Sequence, residues 1–472
     1  MQESNLTSEL AEWVAQTGLA DVPQEVRHRA AHVLLDGIGC ALVGAHLPWS
    51  ELATAALCDL EGDGAAVLVG RGESTTPSAA ALLNSSYVQG FELDDYHPVA
   101  PIHGAAIALP AVLAAAAAVG PASGAEVLLA AIRAFEVGPR VGRALHGAQM
   151  LTRGWHSGPV YGGPAAAVAA GTLHGLDAGA FEDAIGLAAT QACGLMAAQF
   201  GSMGKRMQHG FAARNGLLAA TLAAGGYTGI KAVFDREYGG FLSTFGEAHD
   251  PDVGQITAEL GVRWETSLIA IKPYAAMAGL HAAIDAARAM RSESAPALRD
   301  IAGIEIFVSE PAFHHGGWRA ERPLTSVGAQ MNLAYAVAVT LLDGTALAAQ
   351  FAPDRIDADD VWALIDVTSP RHEPKFDERA EDGYNTRLEV TLGDGRTLTT
   401  LVEQPRGGLL APLKNQEVVA KFHALADPLV GADHAARIER AVLGLESAET
   451  IEPLADLLGV PARPLFTEAV AR

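Results

Sequence analysis

Through most of the first 270 residues apolar positions recur at helical spacing, and long alanine-rich runs leave few polar residues to mark a solvated face. Val22-Pro23 places a proline at a first helical turn, and Val26, Ala30, Val33, Leu34 and Ile38 then follow helical spacing towards Gly44. Asp36 reads as a polar contact near the end of that helix, while Gly37 and Gly39 let a second helix come close. The run from Gly104 to Gly120 is dominated by alanine, contains Pro110 and has no basic flanks, which predicts a buried helix rather than a membrane span. Ser123-Gly-Ala-Glu126 is a capping-box pattern and opens a helix that runs through Ile132 and Phe135 towards Val141.

Near residue 270 the pattern changes. Ile304, Ile306 and Val308 alternate as a strand, and TSVGAQMNLAYAVAVTLLDG predicts an amphipathic helix ending at Gly344. Leu388, Val390 and Leu392, the Asp394-Gly395 turn and the return from Leu398 predict a hairpin. From Asn415 the helical pattern resumes. The predicted fold is mainly α with an α+β part: a large all-helical domain from residues 1–268 and 408–472, interrupted by a smaller α+β domain over 269–407. A chain of 472 residues is too long for one ordinary core, which agrees with that division.

The formal charge of −23 argues against a nucleic-acid or anionic-membrane partner, since either wants a basic face. Against that background the run from Ala184 to Phe234 has no Asp or Glu but holds Lys205, Arg206, Arg214 and Lys231, a basic wall suited to a small anionic substrate. Cys40, Cys58 and Cys193 lie far apart with no CxxC, which removes a disulfide framework, a zinc ribbon or a cysteine-held cluster. The N-terminus MQESNLTSEL lacks the basic start of an export signal, so a cytoplasmic location is expected.

The chemistry concentrates in GFELDDYHPVAPIHGAAIALP, where Glu92, Asp94, Asp95, His97 and His103 fall within twelve positions of a largely apolar context. A polar loop capping a helix at Gly104 is the plain alternative. His156 lies in a Gly- and Pro-rich loop before an alanine helix, where a ligand can approach the backbone. Lys205, in a glycine loop at a helix start, suits a carboxylate clamp because free N–H groups add to its charge, and Arg206, His209 and Arg214 follow it. Lys272 stands just before a helix carrying His281. Asp94, Asp95, His97 and His103 also suit a divalent ion, so a metal enzyme is one alternative reading and a non-catalytic binding protein another.

Taken in order, LLDGIGCALVG at 34–44, FELDDYHP with His103 following, GWHSG, GSMGKRM followed by GFAARNG, IKPYAAMAGLHAAIDAA and NLAYAVAVTLLDG resemble the MmgE/PrpD family. That family includes 2-methylcitrate dehydratases, cis-aconitate decarboxylases and iminodisuccinate epimerases. The resemblance implies a helical domain from both chain ends, an α+β lid, a pocket between them, a homodimer, and chemistry without metal or organic cofactor. It places catalytic roles on His103, His156, Asp94, Asp95, Lys205 and Lys272, with the lysines as carboxylate clamps and the histidines sharing the proton transfers in either order. Substrate contacts are expected from Glu92, His97, Arg206, Gln208 and Tyr274.

This chain departs from the family pattern at several of these places. Glu92 stands where several members have aspartate, Gly104 where many have proline, Gln208 where many have histidine, and Met277 where a decarboxylase subgroup has histidine. The last difference puts dehydratase or isomerase ahead of decarboxylase. The leading expectation is a cofactor-independent hydro-lyase acting on a small di- or tricarboxylic acid of the 2-methylcitrate type, by α-proton abstraction and hydroxide loss. Decarboxylation of the cis-aconitate type or epimerisation of the iminodisuccinate type is the alternative.

Overall fold

The computed structural model describes residues 5–247, 250–294, 298–379 and 385–466, so the first four residues of the acidic N-terminus lie outside it. Its architecture is mainly α with a small α+β part. Six helices frame the larger part: α1 (Gln24–Gly44), α2 (Pro77–Val88), α3 (Gly104–Val119), α4 (Gly124–Ala144), α5 (Ser157–Leu173) and α6 (Gly204–Ala224). α3 and α5 are central, with α2, α4 and α6 packed around them. Small residues make this possible. A Cβ on Gly37 would lie 2.7 Å from that of Ala105, and one on Gly216 only 2.6 Å from the Ala167 nitrogen, so α1–α3 and α6–α5 approach nearly backbone to backbone. The apolar run from Gly104 is accordingly a core helix, buried from Gly104 to Ala116. No single helix among the described residues is long and apolar enough to cross a membrane.

The inserted part contains α7 (His281–Glu293), β1 (Ile301–Val308), α8 (Glu310–Gly316), α9 (Leu333–Asp343), β2 (Thr368–His372), β3 (Thr386–Leu392) and β4 (Thr397–Val402). The sheet order is β2-β1-β3-β4, with β1 and β2 parallel and the other pairs antiparallel. Ile304 pairs with Val390, and Val390 with Leu398, so the alternating apolar residues share the face covered by α7. Beyond the sheet, α10 (Asn415–Val430) packs on α1, and the buried Lys421 ammonium lies 2.7 Å from Asp36. Asp36 is therefore an ion-pair partner within α1 rather than a group at its end.

The structure departs from the sequence expectation at several elements, among them β2, whose residues TSPRH carry no apolar alternation. The helix predicted from Thr325 is broken: a single turn at Ser326–Ala329 stops, and Asn332 caps α9, whose residues Leu333 to Leu341 are buried on every side rather than on one face. The break frees Gln330 to bond elsewhere. Within the first 120 residues, Ala66–Val67 also pairs with Ser74–Thr75 as a short ladder, a length too small to leave a periodic signal.

Candidate active site

The loop from 89 to 103 joins α2 to α3 and carries the acidic cluster. Tyr96 and Ala270 exchange both backbone hydrogen bonds, at 2.9 and 2.8 Å, which brings the Lys272 segment alongside this loop. Glu92 adopts a left-handed backbone with φ of 56°, a conformation uncommon for a side-chain-bearing residue and often found at functional sites. Its buried carboxylate accepts from three cations: Lys205, Arg206 at 2.6 Å and Lys272 at 3.0 Å. Arg206 is held in turn by the Gln89 carbonyl and by Gln330, whose amide nitrogen donates to the Phe91 carbonyl at 2.8 Å. Burial alone would raise the Glu92 pKa, but Lys205, Lys272 and Arg206 outweigh it and hold the carboxyl well below its usual range. Burial lowers the Lys205 ammonium to about 8 against the opposing pull of Glu92.

His103 precedes α3, and its Nδ1 lies 2.9 Å from Asp94 Oδ2. Burial opposes the charge on Asp94, yet His103 and Lys272 bring its pKa below the ordinary value. His156 precedes α5 in the same way, with Nδ1 at 2.7 Å from Gln208 Oε1. That amide is fixed on both sides by Leu195, whose N–H donates to Oε1 and whose carbonyl accepts from Nε2. His156 Nδ1 must therefore be the donor, which leaves Nε2 as the free lone pair. Burial, then the charges of Lys205 and His103, depress the His156 pKa to about 3.

Helical spacing on α6 puts Lys205, Gln208 and His209 on one side and turns Arg206 away from it towards Glu92 and Gln330. The His209 ring is 4.9 Å from both His103 and His156 in near-perpendicular contacts. A cavity of about 100 Å³ is lined by Glu92, His103, His156, Lys205, Lys272 and, from α8, His315. A larger cavity of about 330 Å³ shares Tyr96, Pro98 and Pro311 with it but contains neither the lysines nor Glu92, so the smaller one holds the chemistry.

Several expected site residues lie elsewhere. Asp95 accepts the Gly104 and Ala105 N–H groups at 2.8 and 2.9 Å, so its carboxylate caps α3. Burial and then Asp94 push its pKa up to about 8, against those two donors. His97 Nε2 lies 3.1 Å from Glu265, and its Nδ1 accepts the Ala100 N–H, which fixes the loop rather than facing the cavity. The Tyr274 hydroxyl is taken up by Asp285 and Arg288 on α7, away from the cavity. With Asp95 and His97 turned off, Asp94, Asp95, His97 and His103 do not assemble as a metal quartet. Among the described residues, the imidazoles that do converge are His103, His156 and His209.

The sequence alone does not point to His315 or Gln330, and it places His209 near a helix start without giving it a role. His209 carries a usable signal, its placement four residues after Lys205 on a helix. His315 follows Ala312 by three on α8, but nothing local ties that short helix to residues more than two hundred positions earlier.

Residues 8–253 match the MmgE/PrpD N-terminal domain and residues 274–447 the MmgE/PrpD C-terminal domain. The chain is 44% identical over 474 residues to cis-aconitate decarboxylase-like protein oryM of Aspergillus oryzae, covering 97% of this chain and 98% of that one. It is 41% identical over 477 residues to cis-aconitate decarboxylase of Aspergillus terreus strain NIH 2624, with 98% and 97% covered. To human cis-aconitate decarboxylase it is 26% identical over 476 residues, with 98% and 96% covered. With both domain models matched in order along a chain that places lysines, histidines and Glu92 around one cavity, this protein belongs to the MmgE/PrpD family.

Proposed function

We propose that this chain decarboxylates a small unsaturated tricarboxylic acid of the cis-aconitate type, using its own side chains. The carrying observation is the convergence of Lys205 and Lys272 on Glu92 beside an Asp94-held His103, which gathers carboxylate-binding cations and a proton carrier around one cavity. The relatives with 44% and 41% identity support this order of preference, which reverses the ranking that Met277 suggested. Met277 itself loses weight as a counter-argument, because His315 brings an imidazole to the wall that Met277 also lines.

In the proposed reaction the C–C bond to the carboxylate on the methylene carbon breaks and carbon dioxide leaves. The electron pair spreads through the adjacent alkene onto the carboxylate at its far end. Lys205 and Lys272, both buried, bind the retained carboxylates and stabilise that charge. One proton then adds to the former alkene carbon and gives the methylene-bearing dicarboxylate, itaconate. His103 delivers it from Nε2, since Asp94 holds Nδ1. His156, with a pKa depressed to about 3, is neutral at physiological pH and serves as a hydrogen-bonding partner instead.

The homodimer implied by the family resemblance fits α6, where Phe211, Leu218 and Leu222 expose apolar side chains along one face. Light scattering checks it, with twice the 48.9 kDa chain mass expected. For the reaction, chelator-treated protein is offered cis-aconitate, 2-methylcitrate, citrate and iminodisuccinate separately. Carbon dioxide release from cis-aconitate alone is expected. Alkene formation from a hydroxy acid without carbon dioxide would overturn the proposal in favour of a hydro-lyase.

A further inference from the structure

We infer that His103, His156 and His209 form a reversible inhibitory site for a transition-metal dication of the zinc type, at the wall of the reaction cavity that His103 and His156 line. Each residue offers one ring nitrogen, and the three atoms lie within 4.8 Å of one another. The rings meet near 90°, at 89° for His103–His209 and 80° for His156–His209, so they point inward from different directions rather than stacking.

Two of the three already have the support that metal-binding imidazoles use. His103 Nδ1 faces Asp94 and His156 Nδ1 donates to Gln208, which fixes both rings and presents both Nε2 atoms. His209 is fully buried, and neither of its nitrogens has a hydrogen-bond partner among the described residues. Leaving such a group unpaired in the interior is unfavourable, and a bound ion removes that penalty. Imidazole nitrogens suit zinc, cobalt, nickel or copper and not magnesium or calcium.

Zinc–nitrogen bonds of about 2.0–2.1 Å put ligands of a tetrahedral site roughly 3.4 Å apart, so the rings must draw inward. Asp94 and Glu92 supply negative charge, while Lys205, Lys272 and Arg206 oppose a second cation. That opposition makes the ion an exchangeable inhibitor rather than a resident cofactor. Its open coordination position faces the cavity, so it competes with the carboxylate substrate; this last point rests on the proposed decarboxylase reading.

The test adds cobalt(II) to the chelator-treated full-length chain and follows visible absorption. The expected result is one cobalt per chain with the intense bands of a four-coordinate site, bleached by an equimolar addition of zinc. His209→Asn is expected to abolish the bands, Gln208→Ala to weaken binding roughly 10- to 100-fold, and His314→Asn, on an exposed neighbouring imidazole, to leave them intact. If His209→Asn fails to fold, His156→Asn takes its place. Absence of the bands in the parent chain, or their persistence in either histidine variant, overturns the site. Turnover of metal-free protein is measured in parallel: a missing band with intact decarboxylation sinks the metal site, whereas a band without turnover sinks the reaction.

Discussion

Lys205 is the residue on which charge and burial are most finely balanced. Burial lowers its pKa to about 8 while Glu92 pulls the other way, so the ammonium is charged at neutral pH and loses its proton as pH rises through that value. Its carboxylate affinity should fall with it: KM for cis-aconitate is expected to climb steadily above pH 8, about tenfold per unit, while remaining flat from 6.5 to 7.5. A flat KM up to pH 9.5 would show that Lys205 is not a clamp. The clustering of Glu92, Asp94, His103, His156, Lys205 and Lys272 was legible because each lies in a short polar motif set in apolar sequence. The direction in which each side chain turns was not, as Asp95 and His97 show. Both sit among those motifs, yet one caps α3 and the other pairs with Glu265, choices made by backbone geometry and by a residue far along the chain.

At the scale of elements, the site depends on how closely α5 and α6 approach. Gly158 opens α5, and a Cβ there would lie 2.3 Å from His209 Nε2. Gly158→Ala should keep the helix, since alanine favours it, but must displace the imidazole or the start of the helix. A shift near 1 Å in such a site can cost on the order of 10²-fold in rate. The expected outcome is a loss of that size in kcat with unchanged circular dichroism; full activity would show that His209 and the α5 start do not position the reaction. The main helices and the strands β1, β3 and β4 were readable from periodicity, whereas β2 was not, and the Asp394-Gly395 hairpin has the register its alternation predicts. The break before α9 was not, because the tertiary bonds of Gln330 to Arg206 and Phe91 lie beyond local pattern.

At the scale of the whole molecule, the inserted α+β part supplies His315 and His281 to the interior, and the helical part supplies His156 and His209. Burial is the first cause of depression in all four, to about 3 for His156 and His281 and about 4 for His315. Their folded pKa values lie below the unfolded value near 6.5, so the stability they carry is complete above that pH and declines as acid protonates the unfolded chain. Thermal melting should therefore show Tm falling between pH 6.5 and 5, each such group costing up to about 1.4 kcal/mol per unit. A Tm that is level across this window would contradict their burial as neutral groups. Whether carbon dioxide loss is followed by protonation from His103 is read by proton NMR of chelator-treated protein with cis-aconitate in D2O. The expected product is itaconate carrying one deuterium in its saturated methylene, with no such product from His103→Ala. Hydration of the alkene, or deuterium entering the substrate methylene before any carbon dioxide is lost, would contradict it.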